Sequence, residues 1–461
     1  MSGHLRRFLP FFQRTYLSAN RGALLATVRM SSTNSQVKRD SPFAPSEKVA
    51  HFEQDVWSIF TPLAAETKAI NLGQGFMNFA PPDFIIEAAQ KALIRNECNQ
   101  YSHPRGNPRL RKAIANSYSP LFDRQINPDT EIMVGAGANE AMLSIFTAYL
   151  NQGDEVIIME PFFDQYVPNI SMNGGVPVYL PIRPPAKSSN EFVSSGEWKI
   201  DMDELRSKIS PRTRIIVLNT PHNPVGKVFS REELLQLSNL AIQHNLLVIS
   251  DEVYDRLFFS PSEHVRIATL PGMWERTITV GSGGKTFGVT GWRVGWLIGP
   301  SNLIEPPLSA HTRIVFCVNS PMQEAIAAGL EHCQTAPYFR DLIESYTSKR
   351  DKLLGVFKEL GLPCTVPDGS YFILANTSRL RVPSADSGYP YPASVLNRAA
   401  DFRTCYWLAK EIGVVAIPPT EFYSVENRQL GENFARFAFC KDDATLDLAI
   451  ERLRKLKDYI L

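Results

Sequence analysis

The sequence predicts an α/β protein with two domains, a large one with a mostly parallel sheet flanked by helices and a smaller α+β one. Short runs rich in β-branched residues alternate with helical patterns through the middle of the chain, which is typical of strands joined by crossover helices. After about residue 330 this alternation stops. The 461 residues are too many for one ordinary domain and enough for two.

The first 39 residues differ in composition from the rest of the chain. They contain no aspartate or glutamate, and arginines are spaced among apolar and hydroxylated residues. This composition is typical of a mitochondrial transit peptide, so residues 1–40 are predicted to be a disordered presequence that directs the protein to the matrix. A basic tail without a targeting function is the alternative. Met30 is a possible second start, which would give a cytoplasmic form.

The body of the chain contains the predicted strands and helices of the large domain. Residues 41–75 are predicted to join the small domain, and residues 76–330 to form the large one. Residues 231–245 are predicted to form a helix, because Ser230 precedes them and Glu233 completes a capping box. Compact apolar runs bounded by turn residues are predicted to be buried strands; these are residues 154–160, 213–220, 246–252 and 276–282.

Residues 331–461 are predicted to form the small domain. A long amphipathic stretch at 336–361 predicts a helix. Short apolar segments at 369–376 and 434–440 predict strands, and the segment 381–394, rich in proline and serine, predicts a loop.

Charge and cysteine placement argue against several classes of function. The net charge of +1 gives no electrostatic basis for nucleic acid as a partner. The six cysteines lie far apart without a Cys-x-x-Cys pair, which argues against a zinc ribbon or a disulfide framework and fits a reducing compartment. We find no apolar run long enough to cross a bilayer. The sequence therefore indicates neither nucleic acid, membrane nor metal.

The stretch GSGGKTFGVTGWRVGW (281–296) contains a lysine with two alternative functions. Gly284-Lys285-Thr286 resembles the end of a nucleotide-binding P-loop. However, Thr279 stands where the first P-loop glycine belongs, and the glycines that come after the lysine predict a poor helix. The alternative is that Lys285 forms a Schiff base with pyridoxal phosphate, which requires supporting groups elsewhere.

Polar residues after other predicted strands provide such groups. Asp251 follows one strand and can pair with a protonated pyridine nitrogen. Tyr254 lies three residues further on and can reach the phenolic oxygen of the ring. Asn219 and Asn223 follow another strand. Because the carboxyl ends of parallel strands gather at one edge of a sheet, these side chains are expected to meet there.

A phosphate site is predicted from residues 134–142, VGAGANEAM, a glycine-rich turn before a helix. Ser282 and Arg293 flank Lys285 and can add a hydroxyl and a fixed positive charge. The turn also resembles a dinucleotide fingerprint, but Glu140 occupies the position of its third glycine, where close packing is required.

Together these motifs resemble the fold-type I, pyridoxal-phosphate-dependent class I/II aminotransferases. Within them the sequence is similar to the kynurenine aminotransferase/cysteine-S-conjugate β-lyase group, including its fungal members. The likeness covers roughly residues 50 to 461. The motifs that carry it are NLGQGF (71–76), NQYSHPRG (99–106), EPFFDQY (160–166), LNTPHNPVGKVFSREEL (218–234), DEVYD (251–255), LPGMWERTITVGSGGKTFGVTGWRVGW (270–296) and ARFAFCKDDATL (435–446).

The resemblance implies a role for each matching residue. Lys285 would hold pyridoxal 5′-phosphate and act as acid and base, with Asp251 and Tyr254 as the other catalytic residues. The remaining implied cofactor contacts are Asn223, Phe163, Ala138, Asn139, Ser282, Arg293 and Tyr101, the last reaching the site of the neighbouring subunit. The implied substrate contacts are Arg436 with Asn223 on the α-carboxylate, Gly75 and Trp57 over the substrate, and Phe316 from the partner chain.

The implied activity is transfer of the amino group of L-kynurenine, and of other aromatic or large amino acids, to a 2-oxo acid such as 2-oxoglutarate, giving kynurenic acid. A homodimer with shared active sites is implied as well. Cysteine-S-conjugate β-lyase activity, or glutamine or aromatic transamination as the main activity, are alternatives. A non-catalytic sensor with the same fold is the alternative of a different class. The sequence departs from the group's usual residues at Met77, Asn78, His222 and Cys317, which affects the expected substrate specificity.

Overall fold

The structure is a computed structural model that describes residues 43–50, 52 and 56–461. The chain divides into a unit that ends at Glu47 and a compact unit, Lys48–Leu461. Of the first unit only residues 43–47 are described, so the predicted presequence and Met30 lie outside the described residues. The strands, the cavity and every helix except the first, which begins at Glu47, belong to the second unit.

The helices and strands follow one another through the whole second unit. The helices are α1 (Glu47–Ala50), α2 (Val56–Thr67), α3 (Asp83–Leu93), α4 (Pro108–Tyr118), α5 (Ala138–Tyr149), α6 (Tyr166–Met172), α7 (Met202–Lys208), α8 (Arg231–Gln243), α9 (Gly283–Thr286), α10 (Ser301–Ile314), α11 (Ser320–His332), α12 (Tyr338–Glu359), α13 (Ala393–Leu396), α14 (Ala400–Trp407) and α15 (Asp443–Leu453). The strands are β1 (Ile70–Asn71), β2 (Ile132–Gly135), β3 (Glu155–Glu160), β4 (Val176–Arg183), β5 (Val193–Ser194), β6 (Lys199–Ile200), β7 (Thr213–Asn219), β8 (Leu247–Asp251), β9 (Thr277–Ser282), β10 (Gly295–Ile298), β11 (Cys364–Val366), β12 (Phe372–Asn376), β13 (Val414–Val415) and β14 (Phe434–Ala438).

The large sheet has eight strands in the order β2-β10-β9-β8-β7-β3-β4-β6. Strands β3, β4, β7, β8 and β9 pair in parallel, while β10 runs antiparallel to both of its neighbours and β6 runs antiparallel to β4. The predicted α/β fold with a mostly parallel sheet is confirmed. The four predicted strands are β3, β7, β8 and β9, each within about two residues of its predicted bounds.

Burial on both faces explains why these strands are continuous apolar runs. In β3, Val156 and Ile158 pack into the core that contains α5, whereas Ile157 and Met159 pack into the core that contains α8. Alternate residues of a strand point to opposite faces, so a strand covered by helices on both sides is apolar at every position. Helix α8 begins at the predicted capping box, in which Ser230 and Glu233 exchange hydrogen bonds.

A second sheet of four strands, in the order β14-β12-β11-β5, lies in the C-terminal part of the chain. The predicted strands at 369–376 and 434–440 correspond to β12 and β14, and the predicted long helix to α12. Strand β1 pairs with β13, which joins the N-terminal segment to this region. Strand β5 lies within the range predicted for the large domain and still pairs with β11; the domain boundaries themselves stay predictions.

Among the described residues, no helix has the length and apolar character needed to cross a membrane. The same part of the chain has no group of three or more histidine, cysteine, aspartate or glutamate side chains arranged to hold a metal ion.

Candidate active site

A cavity lies at the carboxyl edge of the large sheet. Asn219 and Asp251 end the adjacent strands β7 and β8 and are paired in register, and Ser282 ends β9. The cavity has a volume of about 220 Å³. Its lining residues are Trp57, Gly75, Ala138, Asn139, Met142, Phe163, Asp164, Asn219, Asn223, Asp251, Val253, Tyr254, Ser282, Lys285, Thr290, Arg293, Phe372, Phe422 and Arg436.

The one-turn helix α9 presents Lys285 to this cavity. Ser282 caps the helix, and its Oγ accepts the backbone N–H of Lys285 at 3.4 Å. Lys285 Nζ donates to Tyr371 Oη at 2.8 Å and to the Gly75 carbonyl at 3.4 Å. Removal from bulk water lowers the pKa of Lys285 to about 8. A neutral, nucleophilic amine is therefore accessible near physiological pH.

The P-loop alternative does not fit the shape of this segment. Helix α9 ends at Thr286 after four residues, and Gly288 then turns the chain with φ 70°. A P-loop needs a longer helix whose N-terminus faces the phosphate.

Asp251 is a buried carboxylate at the end of β8, with only 3% of its surface exposed. Its Oδ2 accepts the hydroxyl hydrogen of Tyr166, and its Oδ1 accepts the Val253 N–H at 3.3 Å. Burial nevertheless raises the pKa of Asp251 to about 6. A cationic group beside it would favour the ionised form, so the carboxylate is suited to pair with a protonated ring nitrogen.

Asn219, the last residue of β7, and Asn223, four residues later, connect Asp251 with Arg436. Asn219 Nδ2 donates to the Asp251 carbonyl at 3.0 Å, and its Oδ1 accepts the Asn223 N–H at 2.8 Å. Asn223 Oδ1 in turn accepts from Arg436 Nη1 at 3.2 Å. Tyr254 is buried nearby, with its ring edge-on to Tyr371 at 5.1 Å between centroids.

The β2–α5 loop and Arg293 form the other end of the cavity. A Cβ on Gly137, whose φ is 86°, would lie 2.5 Å from Arg293 Nη2, and one on Gly295 would lie 2.6 Å from the Ala138 nitrogen. Only glycine permits this close approach. The first N–H groups of α5, the guanidinium and the Ser282 hydroxyl form a donor set suited to a phosphate. The side-chain oxygen of Asn139 instead accepts from Asn169 Nδ2 at 2.9 Å.

Arg436 lies on β14 and is 2% exposed. Its Nη2 donates to the Gly73 carbonyl at 2.8 Å, while its Nε has no partner among the described residues. Burial lowers the pKa of Arg436 to about 10. A buried guanidinium with unused donor capacity is suited to bind a carboxylate.

The N-terminal segment covers the same region. Trp57 of α2 donates its indole N–H to Asp164 Oδ2 at 2.7 Å, and its ring lies 5.6 Å from the Arg436 guanidinium carbon. A Cβ on Gly75 would lie 2.7 Å from Phe372 Cζ. The lack of space for a side chain explains why position 75, whose carbonyl contacts Lys285, is a glycine.

All but two of the predicted site residues therefore line one cavity. Tyr101 and Phe316 lie outside it, 85% and 48% exposed, with their rings edge-on to each other at 5.3 Å. Within one chain these residues do not reach the cavity, so their predicted place in a partner's site stays a prediction.

Sequence reasoning missed Tyr371 and Tyr166, which hold the two central charged groups. Tyr371 donates to the Gly75 carbonyl at 2.7 Å while accepting from Lys285. Tyr166 follows Phe163 by three residues, in a motif that begins at the end of β3. A tyrosine so soon after a strand could have indicated a polar contact at the carboxyl edge of the sheet. In the structure Tyr166 begins α6 and contacts Asp251 at the end of β8. Tyr371 lies in an apolar strand pattern that gave no such signal.

Comparison with known proteins agrees with this site. The sequence model of the family "Aminotransferase class I and II" matches residues 67–453. The chain is 46% identical over 418 residues to the probable kynurenine–oxoglutarate transaminase BNA3 of Saccharomyces cerevisiae, covering 88% of this chain and 93% of the yeast protein.

A second relative and the solved structure of the yeast protein extend the comparison. The chain is 45% identical to the kynurenine–oxoglutarate transaminase of Dictyostelium discoideum, covering 90% of this chain and 97% of that protein. The crystal structure of Bna3p from Saccharomyces cerevisiae superposes with a TM-score of 0.86 at 45% identity, covering 89% of this chain and 98% of that one.

Proposed function

The chain belongs to the class I and II aminotransferases, and we propose that within this family it transfers the amino group of L-kynurenine to a 2-oxo acid such as 2-oxoglutarate, with pyridoxal 5′-phosphate as cofactor. The observation that carries this proposal is the position of Lys285, which shares one cavity with the buried Asp251 and the buried Arg436. The similarity to proteins named kynurenine–oxoglutarate transaminases supports the choice of amino donor.

The lining residues fit the cofactor group by group. Asp251 would pair with the ring nitrogen, Tyr254 and Asn223 would bind the ring oxygen, and Phe163 would cover one face. Ser282, Arg293 and the start of α5 would bind the phosphate. When bound, pyridoxal phosphate supplies a carbonyl that receives the amino group and a ring that accepts electrons from the substrate Cα.

The substrate is oriented by its α-carboxylate. Arg436 is held by Asn223 and the Gly73 carbonyl, so its guanidinium has a fixed direction when it binds a carboxylate. Lys285 lines the same cavity and moves a proton at Cα, for which a pKa of about 8 is suitable. Fixing the substrate at one end and the base at the other lowers the entropic cost of the proton transfer.

An aromatic donor suits the remaining walls of the cavity. The ring centroids of Trp57, Phe372 and Phe422 lie 5.6, 4.5 and 4.9 Å from the Arg436 guanidinium carbon. Their rings offer apolar faces to an aryl side chain next to the carboxylate site. The keto acid formed from L-kynurenine can cyclise to kynurenic acid.

We also propose a homodimer with shared sites and a mitochondrial location. The exposure of Tyr101 and Phe316, two large aromatic side chains outside the cavity, supports the dimer. The acid-free, arginine-containing first 39 residues support import into the matrix, and a start at Met30 would give a cytoplasmic form. Fusing residues 1–40 to a fluorescent reporter, with and without the arginines, tests the location.

The function is tested by one half-reaction. L-Kynurenine is added to the purified, pyridoxal-phosphate-loaded protein without an oxo acid, and the visible absorption of the cofactor is followed. We expect the band of the lysine-bound cofactor to be replaced by that of pyridoxamine phosphate, and 2-oxoglutarate to restore it. A Lys285→Ala variant is the control and should form no pyridoxamine phosphate.

Two outcomes would contradict parts of the proposal. A cofactor band that ignores kynurenine but responds to glutamine or to a cysteine S-conjugate would keep the family and change the substrate. A protein that binds no pyridoxal phosphate would overturn the proposed function as a whole.

A further inference from the structure

A buried polar cluster lies directly behind the proposed phosphate site. Glu140 is in the first turn of α5, and its carboxylate contacts His311 of α10 and Ser144 of α5. His311 and Ser144 are 0% exposed. The proposed function uses none of these residues, although Glu140 stands at the position that distinguishes this loop from a dinucleotide fingerprint.

The carboxylate of Glu140 holds the loop between β2 and α5. Its Oε2 accepts the Ala136 N–H at 2.8 Å. A Cβ on Gly135 would lie 2.9 Å from the same oxygen, so the carboxylate packs directly against the loop backbone. The Gly137 N–H is also engaged, since it donates to the Gly135 carbonyl at 2.8 Å. Both inner amides of the loop thus have hydrogen-bond partners within the protein.

His311 and Ser144 fix the carboxylate in turn. His311 Nδ1 lies 2.9 and 3.0 Å from the two Glu140 oxygens and donates to them, and Ser144 Oγ donates at 2.7 Å. A carboxylate at the N-terminus of a helix is stabilised by the helix dipole but competes there with any other anion. His311, Ser144 and the Ala136 N–H bind the Glu140 carboxylate. The carboxylate therefore does not occupy the N–H groups of Ala138 and Asn139, which remain available to the phosphate.

We propose that Glu140, held by His311 and Ser144, is a positioning residue that fixes the β2–α5 loop so that the first amides of α5 face the cofactor phosphate. This inference rests on the proposed function, because it requires pyridoxal phosphate as the ligand. Glu140 acts through the Ala136 N–H and does not touch the phosphate.

The test compares pyridoxal 5′-phosphate with pyridoxal, which lacks the phosphate. Dissociation constants of both are measured by absorption and by calorimetry for the wild type and for Glu140→Gln, Glu140→Asp and Glu140→Ala. Glutamine keeps the length and an accepting oxygen, whereas aspartate keeps the charge but is one methylene too short. We expect the Asp and Ala variants to bind pyridoxal phosphate about tenfold more weakly, with pyridoxal changed less than about twofold. The Gln variant should stay within about threefold of the wild type.

Glu155→Ala is the matched control, since Glu155 is a buried carboxylate at the opposite edge of the same sheet. Its substitution should lower thermal stability without changing the ratio of the two affinities. If Glu140→Ala does not fold, the comparison of Asp with Gln gives the same answer.

Two results would overturn the inference. Equal losses for pyridoxal phosphate and pyridoxal would show that Glu140 only supports the fold. A loss in the Gln variant with retention in the Asp variant would show that its charge, and not its position, matters. A wild type that binds neither compound would instead refute the proposed function.

Discussion

At the scale of single residues, the site depends on charged groups held away from water. Lys285 has a lowered pKa and Asp251 a raised one, and in both cases the main cause is the loss of solvent. The negative Asp251 raises the pKa of Lys285 and so favours its charged form, whereas the positive Arg436 and Arg293 lower that pKa. Substitution of one group should therefore change the titration of another.

The first prediction concerns the pH dependence of cofactor attachment. Only neutral Lys285 can attack a carbonyl, so the rate of covalent pyridoxal phosphate incorporation into the apoprotein should rise with pH and level off above about 8. At pH 7 about a tenth of the maximal rate is expected. Asp251→Asn removes a charge that raises this pKa, so its midpoint should move to lower pH. Stopped-flow absorption measures the rate, with Asp154→Asn as the control; an unchanged midpoint in Asp251→Asn would contradict the coupling.

The second prediction concerns Tyr166, whose hydroxyl donates to Asp251 and lowers the pKa of that carboxyl. Tyr166→Phe removes this donor, so the pKa of Asp251 should rise above about 6. The proposed pairing with the ring nitrogen needs an ionised Asp251. As the pH is lowered, affinity for pyridoxal phosphate should therefore begin to fall at a pH about one unit higher than in the wild type.

The measurement is the cofactor dissociation constant as a function of pH. Tyr149→Phe is the control, since the Tyr149 hydroxyl, at the C-terminal end of α5, donates to the Leu303 carbonyl near the start of α10. A parallel shift in both variants would show that loss of any buried hydroxyl has this effect.

At the scale of elements, two strands fix the position of Arg436, the proposed binding site of the substrate carboxylate. Strand β14 pairs along its whole length with β12, with Arg436 opposite Leu374. The Arg436 backbone also exchanges hydrogen bonds with Ile417 at 2.9 and 3.1 Å. A guanidinium on such a strand has little freedom, which favours bidentate binding over a mobile point charge.

The third prediction concerns the effect of this rigidity on substrate binding. Arg436→Lys keeps the positive charge but loses the planar pair of donors, so kcat/KM for the amino donor should fall about a hundredfold, mostly through KM. Affinity for pyridoxal phosphate should stay within about twofold, because Arg436 is not at the phosphate end. Steady-state kinetics and cofactor titration measure the two effects, and Arg379→Lys on the surface is the control. Equal loss of cofactor and substrate binding would refute the assignment.

At the scale of the whole molecule, residues at strand ends could be predicted from the pattern of the sequence. Residues that folding brings in from other parts of the chain were either predicted only from the family resemblance, as Arg436 and Trp57 were, or were missed. Asp251, Asn223 and Lys285 belong to the first kind because each comes after an apolar strand, and parallel strands end at one edge. Tyr371 belongs to the second, because its ring lies beside an apolar strand of the other sheet and only its hydroxyl reaches Lys285. Strand β5 was missed for a different reason, because a strand of two residues is too short to show an alternating pattern. The predicted roles of Tyr101 and Phe316 depend on a second chain.

The last prediction tests whether that second chain completes the site. Lys285→Ala and Tyr101→Ala are each expected to be nearly inactive as pure proteins, the first for lack of its base and the second for a weakened phosphate site. If Tyr101 serves the partner's site, a heterodimer contains one site with both residues intact, formed by the Lys285 of one subunit and the Tyr101 of the other. Random reassociation of equal amounts makes about half of the dimers mixed, and each mixed dimer has one intact site of two, so about a quarter of the wild-type activity should return.

Refolding the two variants together, with each refolded alone as the control, measures this recovery. If Tyr101 acts within its own subunit, no mixture contains an intact site and activity stays at the level of the pure variants; if the protein is a monomer, size-exclusion chromatography with light scattering shows one chain and the shared site is excluded directly.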